Sequence, residues 1–267
     1  MMLFARPGKF EPCGMFTKGH FELILITIIW ITIALKNTMN KTKEEVGKII
    51  KRCTITMWVL EVVMISFKIA TGGIRNLNNY VPLYYCSLLL YAGLLSSFAK
   101  GKLKRVGDVF LATGGIIGGI VFMILPTTSL PAYPMLHIVS LHSFLYHGTM
   151  VYLGILINIT HYIELNASDI RYYAGLVGIV CVLAYIINEV FDCNLMFISK
   201  NFPGTPLEIL YNITGPFYTI IMSIAQMTLP FYIIRWGKNV HGTKCPKRKW
   251  EKMYPVQNWP RRLKWVN

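Results

Sequence analysis

The side chains of this sequence best equipped for chemistry are three imidazoles, a thiol and a carboxylate. His137, His142 and His147 fall within LHIVSLHSFLYHG, in an apolar stretch from about Pro134 to Asn158 that is long enough to cross a bilayer. Imidazoles at that depth are costly, so they line a polar cavity, touch a substrate or are satisfied within the fold. Helix geometry limits what they can do together. Positions five apart differ by about 140° around a helix, and ten residues rise about 15 Å. The three rings therefore point three ways and cannot share one metal ion. The i,i+4 zinc pattern is also absent, and no metal or other cofactor is expected. Two same-face pairs remain, Ser143 with His147 and His142 with Tyr146. A histidine beside a hydroxyl or thiol is the minimum equipment for nucleophilic catalysis; it is equally what a satisfied buried histidine looks like.

The thiol is Cys86, in VPLYYCSLLLY. Pro82 is a good helix start, so Cys86 and Ser87 lie about one turn inside the same membrane face at which His137 begins. A Cys–His pair across two helices is allowed and would make an acyl acceptor; the bland alternative is an inert buried cysteine. The carboxylate is Glu61, mid-way along its apolar block, with Lys68 two turns further on, about 10 Å away on the same side. Glu61 is either bonded to another helix or a proton acceptor in a cavity. His20 and Glu22, then Asn188, Glu189, Asp192 and Asn194, fall at that same face. Polar groups thus gather at one end of several spans, which points to a cavity open on that side, with His20, Tyr84, Tyr85, Ser143, Asn188 and Asn194 expected around its ligand.

These side chains need a membrane-embedded scaffold. Of 267 residues 54% are hydrophobic and only 15% charged, with a mean hydropathy of +0.47. The apolar residues come in long blocks of about the length that a spanning helix needs, roughly 20 residues, rather than the alternating 10-residue pattern of a barrel strand. Seven blocks stand out, at about 19–36, 53–71, 81–99, 107–126, 134–158, 172–190 and 214–234. The expected fold is an all-α membrane protein, a bundle of seven transmembrane helices over 1–234 followed by a basic tail at 235–267. No separate soluble domain remains.

The net charge of +15 reads as topology. Connections 36–52, 100–106, 159–171 and 235–267 carry 6, 4, 1 and 10 Lys and Arg, against 3, 1, 0 and 1 in 1–18, 72–80, 126–133 and 190–213. The positive-inside rule then sets the N-terminus outside and the C-terminus in the cytoplasm, in the cell membrane. The N-terminal residues do not read as a cleaved signal peptide, so the first span is expected to stay as an anchor. The tail, with KCPKRKWEK and WPRRLKW, suits anionic lipid at the membrane surface, and nucleic acid is not the expected partner.

Six cysteines show no CxxC spacing; Cys13 and Cys193 share a predicted side and could pair. Gly114-Gly115 and Gly118-Gly119 make a small-xxx-small face for close helix packing, not a phosphate loop. Pro126 and Pro131 end the fourth span, and Pro216 and Pro230 begin and bend the last.

In this order the marks resemble the YwaF-like family of bacterial integral membrane proteins, which is distantly similar to a eukaryotic family of transmembrane ether-phospholipid acyltransferases. The marks are Phe16 to His20 at the first span, Glu61 in the second, Pro82-Leu83-Tyr84-Tyr85-Cys86 at the third, His142 and His147 in the fifth, then Asn194-Leu195-Met196-Phe197 and Gly215-Pro216. The resemblance covers most of the chain and implies acyl-transfer chemistry on lipid. One departure stands out: Tyr84 occupies the position of the family's span-three histidine. If that histidine serves catalysis, the site here is altered or inactive.

Three functions fit. The first is a lipid acyltransferase or ester hydrolase with Cys86 as nucleophile, His137 or His142 as base, and Glu61 or Asn188 orienting the base. The second is a small-solute binding or transport protein in which Glu61 and the histidines carry protons, although no inverted repeat is evident. The third is a non-catalytic membrane subunit whose basic tail docks a partner. Membrane lipid is the expected surrounding in each, and a lipid or small molecule the expected cavity ligand.

Overall fold

A computed structural model of the chain describes residues 2–6, 8–72 and 80–240. Among these residues the secondary structure is helical, with no strand. Its α-helices are α1 (Lys18–Thr38), α2 (Lys43–Gly72), α3 (Leu88–Phe98), α4 (Gly101–Ala112), α5 (Gly114–Ile124), α6 (Ile138–Ile159), α7 (Ile170–Phe191), α8 (Pro206–Thr214) and α9 (Tyr218–Val240). Five stretches are long and apolar enough to cross a membrane: Lys18–Thr38, Lys43–Thr71, Gly101–Ile124, Ala167–Phe191 and Pro206–Lys238. Most of the basic tail, and Cys245 with it, lies outside the described residues.

Helix starts follow from local chemistry. Thr17 caps α1, its hydroxyl accepting from the His20 amide at 3.3 Å. Thr42 and Glu45 form a capping box at α2: the Glu45 amide donates to Thr42 Oγ1 at 3.3 Å, and the Thr42 amide to Glu45 Oε2 at 2.9 Å.

The bundle is arranged around α6. This helix packs against α1, α2, α4 and α5, while α3 lies between α2 and α4, and α7 between α4 and α9. Leu153, Leu156, Ile157 and Met150 of α6 are buried with Val109, Phe110 and Leu111 of α4. The outer faces of α1, α2, α7 and α9 instead expose Ile, Val and Leu, among them Ile26, Ile29, Val59, Val62, Ile179, Val182, Ile220 and Ile224. An apolar surface of this extent belongs against hydrocarbon rather than water.

Several boundaries differ from those expected. The stretch 100–106, read as a loop, opens α4, and the turn is confined to Ala99 and Lys100. Its two less exposed charges are paired: Lys104 Nζ lies 2.9 Å from Asp108 Oδ2 and 2.8 Å from the Tyr162 hydroxyl, and Arg105 Nε donates to Asp169 at 3.0 Å. The expected fourth helix breaks at Thr113 (φ −127°, ψ −77°) without a proline. The expected third span starts late, at Leu88, because residues 81–87 form a turn. Glycines make the room for that turn. A Cβ on Gly114 would sit 2.6 Å from the Tyr85 hydroxyl oxygen, and one on Gly118 2.9 Å from Tyr85 Cε1. Residues 206–214, expected in a connection, form α8. Cys13 and Cys193 are both free thiols, so the disulfide between them is not formed; their sulfurs face Thr17 Oγ1 and the Phe191 carbonyl instead.

The tightest helix crossing is α3 on α4. A Cβ added to Gly107 would lie 2.3 Å from the Ala92 carbonyl oxygen and 2.5 Å from the Ser96 amide, both backbone atoms that cannot swing aside. Gly107→Ala is therefore expected to cost about 1–3 kcal/mol or more, read as a lower thermal midpoint in detergent. Gly175→Ala on α7, where an added Cβ meets nothing within 4 Å, is expected to be neutral or to stabilise by up to about 1 kcal/mol. Equal midpoints for the two variants would contradict this crossing.

Candidate functional site

A cavity of 480 Å³ opens inside the helical bundle, within the range of small-molecule pockets, about 300–1,000 Å³. Its walls come from α2 (Glu61, Lys68), the turn before α3 (Tyr84, Tyr85, Cys86), α5 (Gly118, Phe122), α6 (His142, Ser143, Tyr146, His147), the 196–207 segment and α9 (Met222, Gln226). Most of the lining is apolar, and the polar groups converge from α2, the turn before α3, α6 and α9.

Cys86 sits immediately before Ser87, the N-cap of α3. The Tyr146 hydroxyl donates to the Cys86 carbonyl at 3.3 Å, which ties this turn to α6. His142 Nε2 lies 4.0 Å from Glu61 Oε2, too far for a hydrogen bond, and is buried without a hydrogen-bond partner. Glu61 and Lys68 face the same chamber, as their two-turn spacing implies. His147 Nδ1 is 2.7 Å from the Ser143 carbonyl. A carbonyl only accepts, so Nδ1 carries the proton and Nε2 is left as a lone-pair acceptor. That Nε2 is also buried without a partner, and the ring stacks on Phe122 at 3.5 Å.

The other histidines are spent on backbone. His137 is the N-cap of α6: its Nδ1 accepts from the Val139 amide at 3.2 Å and its Nε2 donates to the Ala5 carbonyl at 3.0 Å. His20 accepts at Nδ1 from the Phe16 amide (3.0 Å) and donates from Nε2 to the Met123 carbonyl (2.9 Å). Neither is among the residues lining the cavity. Asn188 and Asn194, also expected near a ligand, clamp the segment that follows α7. Asn188 accepts from the Leu195 amide (2.7 Å) and donates to the Leu195 carbonyl (3.1 Å) and Ser199 Oγ (2.9 Å). Asn194 accepts from the Ser199 and Lys200 amides (3.2 and 3.1 Å). Between them Met196 and Phe197 hold φ values of +57° and +53°, a conformation that costs a non-glycine residue of order 1–3 kcal/mol. Both line the cavity, so these asparagines shape it at one remove. Tyr84 packs on Phe197 with ring centroids 5.2 Å apart, while the Tyr85 hydroxyl is taken by Tyr173 at 2.6 Å.

A sequence model of the TMEM164 family, a transmembrane protein family, matches residues 15–234. The chain belongs to the TMEM164 family. Comparisons with curated proteins and with solved structures find no match. The matched span of this TMEM164-family chain contains every residue that lines the cavity and stops just short of the basic tail. With its apolar helices it is a multi-pass membrane protein.

Gln226, on the α9 side of the lining, was not singled out in the sequence. Gln226 donates from Nε2 to the Met196 carbonyl at 2.8 Å and keeps a buried, unpartnered Oε1. An uncharged amide in the middle of the last span was the signal available for it.

The histidines thus divide by role. His20→Ala and His137→Ala each strand backbone groups and are expected to cost about 1–3 kcal/mol, whereas His142→Ala removes no hydrogen bond from the fold and is expected to leave the thermal midpoint nearly unchanged. Equal losses in all three variants would contradict the division.

Proposed function

We propose that this chain is a seven-span cell-membrane protein, N-terminus outside and basic 235–267 tail in the cytoplasm, that acts on lipid as an acyltransferase or ester hydrolase. The topology rests on the excess of Lys and Arg in alternate connections. The observation that carries the chemistry is the joint presence of Cys86, His142 and Glu61 in one mainly apolar cavity, with His142 Nε2 buried and not engaged by any hydrogen bond of the fold. The resemblance to the YwaF-like family, itself distantly similar to transmembrane ether-phospholipid acyltransferases, supports the same reading.

In this scheme His142 takes the Cys86 proton and the sulfur attacks the ester carbonyl of a lipid. The C–O bond breaks, the leaving alcohol receives the proton from His142, and a thioester remains on Cys86. A second alcohol, or water, then attacks the thioester, so the new ester or free acid departs and the thiol is restored. Negative charge at sulfur is met by the N-terminus of α3, and Glu61 stabilises the protonated His142. His137, whose two ring nitrogens are already bonded, is not assigned the base, and Tyr84 carries none of the proton transfers.

Lys68 in the same cavity favours a second reading, binding or transport of a small anionic solute. One experiment separates the two. Purified protein in lipid vesicles is given a phospholipid with a labelled acyl chain, and label transfer and release are followed. Wild type turns over; Cys86→Ala falls to background and His142→Ala falls about a hundredfold or more, with both variants eluting as folded protein. Full turnover in Cys86→Ala would overturn the scheme, and solute uptake without lipid turnover would replace it.

A further inference from the structure

We propose that the α6–α9 side of the cavity, through His147 Nε2 and Gln226 Oε1, is the binding site for a ligand hydroxyl, and that in the scheme above this hydroxyl belongs to the acyl acceptor. The proposal extends the acyl-transfer reading and is built on different residues.

The two side chains share an unusual property. Each has one polar atom committed to a backbone carbonyl, and that commitment fixes the character of the other. His147 donates from Nδ1 to Ser143, so its Nε2 can only accept. Gln226 donates from its amide nitrogen to Met196, so its oxygen, also an acceptor, points the other way. Both remaining atoms are buried without a partner, and both residues line the cavity. His147 is only 5% exposed. A buried acceptor left unpaired costs about 1–3 kcal/mol, and two of them beside one chamber describe a site that asks for a donor. Neither can be met by another ester carbonyl or by a phosphate oxygen, which only accept. An alcohol's one O–H meets His147 Nε2, and an ordered water donating to Gln226 Oε1 and to the alcohol oxygen meets the second.

The Phe122 ring, stacked on His147 at 3.5 Å and only 7° from parallel, keeps the imidazole in this orientation. The base is therefore preset in the neutral, accepting form. In the transfer step the acceptor hydroxyl gives its proton to His147 Nε2 as its oxygen attacks the Cys86 thioester. The C–S bond breaks, the thiolate leaves, and the proton held by His147 is returned to that sulfur. His142 then serves formation of the thioester, and His147 its transfer to an alcohol.

The test uses a lysophospholipid with a free glycerol hydroxyl and its deoxy analogue. With Cys86→Ala protein, in which no turnover can occur, the hydroxyl form is expected to bind about tenfold more tightly. Adding His147→Phe, which keeps the stacked ring, or Gln226→Met is expected to erase that preference while the deoxy analogue binds as before. Equal binding of the two lipids to Cys86→Ala protein, as expected where only water fills the site, would overturn the proposal. So would an undiminished preference in both double variants. In a second arm His147→Phe with Cys86 intact is expected to form the thioester, seen as an intact-mass increase, to the wild-type extent but to lower the ratio of transfer to hydrolysis about a hundredfold; an unchanged ratio would also overturn it. Absence of any thioester in wild-type protein, with the hydroxyl preference retained, would instead defeat the acyl-enzyme scheme and leave the hydroxyl site standing.

Discussion

A helix that carries His142, Ser143, His147 and Asn158 cannot face hydrocarbon, and the rest of this architecture follows from walling it in. Helix α6 is enclosed by α1, α2, α4 and α5. Enclosure this tight requires glycines at the crossings. A Cβ on Gly119 would meet the His147 carbonyl at 2.7 Å, one on Gly148 would meet Thr27 Cγ2 at 2.7 Å, and one on Gly154 would meet Ile116 Cγ1 at 2.3 Å. The outer helices can then be apolar on their exposed faces, since the polar inventory has been taken inside.

Enclosure leaves two classes of buried polar group. His20, His137, Asn188 and Asn194 are consumed by backbone amides and carbonyls and hold connecting segments in place. His142, His147 and Gln226 each keep an unpartnered atom, and all three line one cavity. Buried polar groups are normally satisfied; Asn158 and Asn201 also keep an unpartnered oxygen, but these three share one cavity with a thiol, which supports the proposed site. The Met196–Phe197 turn closes the cavity in a strained conformation, held by Asn188, Asn194, Gln226 and Tyr218.

Much of the helical layout was legible because hydropathy is a local property: α1, α2, α6 and α7 lie where the apolar blocks lie. The break at Thr113 was not, since neither a proline nor a charge marks it. The start of α4 was hidden because Lys104 and Arg105 are neutralised partly by Tyr162 and Asp169, some sixty residues away. Glu61, Cys86, His142 and His147 all line one cavity, although helix spacing sets His142 and His147 about 140° apart. Which histidines would be spent was illegible, because it depended on carbonyls as distant as Ala5 and Met123. The glycine pairs of α5 were read as packing elements; that they also seat the Tyr85 ring needed the three-dimensional arrangement.

The central claim is that the chamber between α2, α3 and α6 receives a lipid acyl chain with its reactive end at Cys86. The most direct measurement is an electron cryo-microscopy map of the protein in lipid nanodiscs. The account predicts elongated density along the apolar lining, with its polar end between Cys86 and His142. A chamber collapsed by side chains, or one holding only a compact polar solute against Glu61 and Lys68, would contradict it.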